Sequence, residues 1–124
     1  MIVIHVACDD EAFAAVVAEL LGHQRDMRVL RVGDHVARVP ERSESPDVVV
    51  FGVSPQSEVI EHAPEYRDMA STGAAMVVFC TTPEQAADFE DLGVEFVVDA
   101  NEPARELASA VRQAYRYKAG QTIH

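Results

Sequence analysis

At 124 residues and 13.6 kDa the chain fits one domain of ordinary size and excludes a two-domain enzyme. With 48% hydrophobic and 25% charged residues it can bury a core without disulfides or a structural metal, which excludes disorder as the main state. Ten Lys and Arg against 21 Asp and Glu leave a net charge of −11, repelling phosphate backbones and anionic lipid surfaces alike, so neither nucleic acid nor membrane is expected as a partner of this domain.

The opening stretch, Ile2 to Ala7, is apolar and meets Asp9, Asp10 and Glu11 at once, without the basic flank of a signal peptide. It reads as a strand. Phe13, Val16, Val17, Leu20 and Leu21 then repeat on one helical stripe, and Gly22 stands where a helix C-terminus favours a left-handed residue. A second strand spans Met27 to Val32. Pro40 interrupts the following stretch, so a second helix within Asp34 to Ser45 is short or broken. The third strand covers Asp47 to Phe51, and a third helix, Glu58 to Ala70, carries Pro64 as the cause of a kink or a late start. Ala75 to Cys80 is the fourth strand. Pro83 opens a fourth helix, Glu84 to Leu92, which Gly93 ends, and Val94 to Val98 supplies the fifth strand. Asn101 is placed to cap a last helix with Pro103 in its first turn and Leu107, Val111 and Tyr115 on one face.

Short Val-rich strands of this kind belong in a sheet covered on both faces, and their alternation with helices predicts an α/β fold with a five-stranded, doubly wound parallel sheet. The domain is expected to span residues 1–118, with 119–124 as a polar tail or the start of a linker. Two cysteines, no secretory leader and no apolar run of about 20 residues fit a cytoplasmic location.

In open parallel sheets the functional crevice lies at the carboxyl ends of the strands, which here present Asp9 and Asp10, Gly52, Thr81 and Asp99. That set, with the strand order of its motifs, resembles the receiver domain of bacterial response regulators, the CheY-like fold. Ile2 to Glu11 is similar to the family's first strand with its acidic pair, and Pro46-Asp47 with the strand after it to the third. Phe79-Cys80-Thr81-Thr82 resembles the strand end bearing the switch hydroxyl, and Gly93 to Asp99 the segment of the switch aromatic, here Phe96. The resemblance implies a flavodoxin-like three-layer sandwich with strand order 2-1-3-4-5.

Two departures define the expected function. Where the family carries its phosphorylated Asp, six residues after the Pro of Pro-Asp, this chain has Gly52; where it carries a Lys after the fifth strand, this chain has Asp99. Phosphoryl transfer needs a carboxylate nucleophile, a divalent cation held partly by it and a cation to neutralise the acyl phosphate. Gly52 removes the first, and Asp99 beside Asp9 and Asp10 would repel what it should pair with. A degenerate pseudo-receiver is therefore expected, not an enzyme, acting in signalling or localisation through phosphorylation-independent contact with a protein partner or a covalently linked downstream domain. Its missing Asp and Lys are similar to the atypical receiver of CpaE and TadZ pilus-assembly proteins. Pseudo-receivers of clock proteins and of transcription regulators fit as well.

The family's docking face, formed by the fourth helix, fifth strand and last helix, places Arg105, Arg112, Arg116 and Tyr117 as interface candidates and offers a homodimer surface. No cofactor is expected. Asp9 and Asp10 are read as caps of the first helix, with a weak Mg²⁺ or Ca²⁺ site formed with Asp99 as the alternative. Thr81 is read as a hydroxyl satisfying local backbone, Phe96 as a half-buried packing residue and His5 as a core histidine. Cys8 and Cys80 would flank the third strand about 9.5 Å apart, beyond disulfide reach. Two rival readings stay open: a small-molecule or divalent-cation binder, and a Cys8-dependent phosphatase or phosphotransfer protein. The latter lacks the phosphate-cradling loop and Arg that such chemistry requires after the cysteine.

Overall fold

The computed structural model describes residues 1–33, 46–71, 73–99 and 103–122. Five parallel strands, β1 (Ile2–Cys8), β2 (Met27–Gly33), β3 (Val48–Gly52), β4 (Ala75–Phe79) and β5 (Val97–Val98), form one sheet in the order β2-β1-β3-β4-β5. The described helices are α1 (Glu11–Gly22), α2 (Val59–Ala70), α3 (Pro83–Asp91) and α4 (Pro103–Thr122). The architecture is the doubly wound, flavodoxin-like one expected. The second predicted helix and the Asn101 cap lie outside the described residues.

Every residue of β1 and β3 is buried, because helices cover both faces of the central strands. On one face Ile4, Val6, Val48 and Val50 pack under α1 and α4, through Val17, Leu21, Leu107 and Val111. On the other, Phe51, Val78 and Val53 meet Val59 of α2 and Phe89 of α3. His5 is buried in β1, as read from its place in an apolar strand. Asp47, at the entry to β3, fastens its neighbours. Its Oδ2 accepts the Val3 amide at 2.9 Å while its backbone bridges β1 to β4, so the incoming ends of three strands are tied at one residue.

Several local readings change. Val16 is 55% exposed, and the buried stripe of α1 is Ala14, Val17 and Leu21. Gly22 is not left-handed: α1 ends at His23 with φ −78°, and the chain leaves through right-handed turns in which Gln24 N–H donates to Leu21 and Met27 N–H to Gln24. α2 runs unbroken through Pro64; the acceptor that loses its bond there is the carbonyl of Ile60, a residue on the solvent side. Val94 is not in β5. It closes α3 in a Schellman motif, with Gly93 at φ +88°, Gly93 N–H on the Glu90 carbonyl and Val94 N–H on that of Phe89. α4 continues as helix to Thr122.

Candidate functional site at the carboxyl ends of the strands

Parallel register sets Cys8 opposite Gly52, and Gly52 opposite Phe79, at the ends of β1, β3 and β4. A Cβ at position 52 would lie 2.5 Å from Cys8 Sγ and 3.2 Å from Phe13 Cε1, and Phe13 stacks at a tilt on Phe79 with ring centroids 5.4 Å apart. The space that a side chain at position 52 would take is therefore filled by a thiol and a ring. Cys8 is 1% exposed, and burial followed by the charge of Asp9 pushes its thiol pKa up to about 12, so it stays protonated at neutral pH.

Asp9 faces away from this plug. Its carboxylate accepts the Ser54 amide at 2.9 Å, the Ser54 hydroxyl at 3.2 Å and the Ser57 hydroxyl, with His62 Nε2 at 3.6 Å. Three hydrogen bonds thus fix the carboxylate against the loop after β3. Asp10 accepts the Phe13 amide at 3.1 Å as the N-cap of α1, the expected capping role. Asp99 stands at the end of β5, three strand spacings or roughly 14 Å from β1 across the sheet, where its charge acts on Cys80 and it lines a depression with Arg105 and Ser109. The three carboxylates are thus not brought into one pocket. Among the described residues no group of three or more His, Cys, Asp or Glu is placed to hold a metal ion.

Thr81 and Phe96, the switch-like pair, are separately engaged. The Thr81 amide and hydroxyl donate to Gln85 Oε1 at 3.2 and 3.4 Å, so the hydroxyl satisfies a side chain and not local backbone. Gln85 is buried, and its Nε2 donates to the carbonyls of Ser54 and Ser57 at 2.8 and 2.9 Å. One amide therefore ties the loop after β3 to the loop after β4. Phe96 is half-buried and meets Tyr117 of α4 edge-on at 6.1 Å, the packing role expected.

Of the interface candidates, Arg105 and Arg116 are exposed and Tyr117 is 49% exposed. Arg112, on the same helical stripe as Arg105 and Arg116, is engaged within the chain: its guanidinium grips Asp26 at 2.8 and 3.0 Å and Gln24 at 2.7 Å, because planar fork geometry matches a carboxylate in two bonds. Cys80 is a second buried free thiol, raised to about 11 by burial and then by Asp99, and β3 separates it from Cys8 as anticipated.

Ser54, Ser57, His62 and Gln85 escaped the sequence reading. A signal existed for one of them: Thr82-Pro83-Glu84-Gln85 has the spacing of a capping box, and Thr82 does cap α3 through the Gln85 amide at 3.1 Å.

No family model matches the chain, and no curated protein matches it. Among solved structures it is similar to the response regulator ChrA of a heme-sensing two-component system, with a TM-score of 0.68 at 18% identity over 93% of this chain. The fold is receiver-like. The chain corresponds to 57% of the length of ChrA. No helix among the described residues is long and apolar enough to cross a membrane.

Proposed function

We propose that this domain is a pseudo-receiver, a signalling module that works through protein contacts without being phosphorylated. The observation that carries the reading is the filled acceptor position: the missing Asp leaves no vacancy at residue 52, since Cys8 Sγ and Phe13 occupy its space. The hydrogen bonds of Asp9 and Gln85 support it further. They hold the loops after β1, β3 and β4 in one arrangement, where a phosphorylated receiver needs them to respond to an added phosphoryl group. A thiol route to phosphoryl transfer is disfavoured by the same geometry, because a buried thiol beside Asp9 and Asp10 is neither ionised nor accessible to an anionic substrate.

The face made by α3, β5 and α4 remains the first interface to test, with Arg105, Arg116 and Tyr117 as its anchors and a second copy or another protein as the partner. The decisive experiment is incubation with acetyl phosphate and Mg²⁺ followed by intact-mass spectrometry. The expected spectrum is that of the unmodified chain; a phosphoryl adduct stable at neutral pH and lost in hydroxylamine would overturn the proposal.

A further inference from the structure

The net charge of −11 is not spread over the chain. Residues 43–104 carry thirteen Asp and Glu against a single Arg, whereas the remaining residues carry eight against nine Lys and Arg. The acidic excess therefore belongs to the segment containing β3, α2, β4, α3 and β5, and the rest of the chain is near balance.

Within that segment the N-terminal part of α2 and the outer face of α3 border an open groove of about 730 Å³. Pro55, Ile60 and Leu92 give it apolar surface, with Ile60 78% and Leu92 37% exposed, while Glu58, Glu84 and Asp88 stand exposed around them. No Lys or Arg among the described residues lines it. Exposed large aliphatic side chains inside a ring of uncompensated carboxylates are costly features for a solvated surface, and each half of the pattern calls for a specific complement. The apolar strip calls for aliphatic or aromatic side chains, and the rim for cations, which combine on the face of a basic amphipathic helix.

We propose that the α2–α3 groove docks a cationic amphipathic segment of a partner protein, its apolar residues on Ile60 and Leu92 and its Lys or Arg residues against Glu58, Glu84 and Asp88. This rests on the reading of the domain as a protein-binding module and adds a partner chemistry and a second face, which shares α3 with the one completed by β5 and α4. Gln85 lines the groove floor and also ties the strand-end loops, so an occupied groove and the strand-end network share a residue.

The test is fluorescence anisotropy with the full chain and a labelled synthetic helical peptide bearing Leu at i, i+3, i+4 and i+7 and Arg on the flanking positions, beside a copy with Glu for every Arg. Binding of the Arg peptide alone is expected, weakening by roughly tenfold or more between about 50 and 300 mM salt. Glu84→Lys with Asp88→Lys should weaken it by roughly tenfold or more and the uncharged change Ile60→Ala several-fold. The same two-charge reversal away from the groove, Glu19→Lys with Glu106→Lys, should change it by less than about twofold. Thermal melts establish that each variant is folded. Equal loss in the groove and control reversals, indifference to Ile60→Ala, or no binding would overturn the inference. Absence of acetyl-phosphate labelling in the same preparation would leave the pseudo-receiver reading standing on its own.

Discussion

The polar network at the strand ends and the one at the sheet edge differ in where they are tied. At the strand ends, Asp9, Ser54, Ser57, Thr81 and Gln85 form a half-buried network joining three loops; at the sheet edge, Arg112 clasps Asp26 and Gln24 on the surface. Both are well formed by distance. They are unequal in energy, because an unmade bond beneath the loops leaves a desolvated group without water, whereas the exposed clasp exchanges its bonds for solvent. The inner knot therefore dictates loop conformation, and the outer one only trims stability.

The sharpest way to break the contrast is at residue 52. Gly52→Asp should destabilise the fold by about 3 kcal/mol or more in urea unfolding, since it adds volume and a charge against Cys8 and Phe13. Adding Cys8→Ala should recover a good part of that loss, because the 2.5 Å clash is with Sγ and the next neighbours lie at 3.2 and 3.5 Å. An additive pair of effects would show that the thiol is not what fills the acceptor position. Gly52→Asp with Asp99→Lys alone should accordingly fail to label with acetyl phosphate.

Gln85→Ala comes next. It removes both donors to the Ser54 and Ser57 carbonyls and the acceptor of Thr81, and should cost about 2–3 kcal/mol with faster amide exchange confined to the loops after β3 and β4. Asp9→Ala should follow at about 2 kcal/mol, releasing the amide of Ser54 with its hydroxyl and that of Ser57.

Arg112→Ala should lie lowest, within about 1 kcal/mol and vanishing in high salt. Its signature is in pH. The hydrogen bond from Arg112 lowers the pKa of Asp26 below its ordinary 3.8, so the clasp contributes fully above that value and is lost as pH falls through the folded-state pKa. The variant should show a shallower decline in stability below about pH 4 than the parent chain.

Much of this was legible in the chain itself. Val-rich runs reported strands buried on both faces, Pro83 and Gly93 bracketed α3, and the acidic pair after β1 with the glycine ending β3 marked the carboxyl end of the sheet. What escaped was how local signals are spent. Thr82 to Gln85 has the spacing of a cap, but the Gln85 side-chain amide also reaches carbonyls 28 and 31 residues away. Arg112 read as a surface anchor by its place on α4, yet Asp26 sits 86 residues earlier at the height where its fork arrives.

Composition and periodicity determined the class of fold, because burying a Val-rich strand on both faces leaves few arrangements. The sequence also put a glycine, with no side chain, at the carboxyl end of β3. Only the tertiary structure decided that a thiol and a phenyl ring take the space beside residue 52, that Asp9 is engaged by serines and that Glu58, Glu84 and Asp88 rim one apolar groove. Those facts depend on which side chains parallel register and crossover helices bring within a few ångströms, and spacing along a chain does not encode such distances.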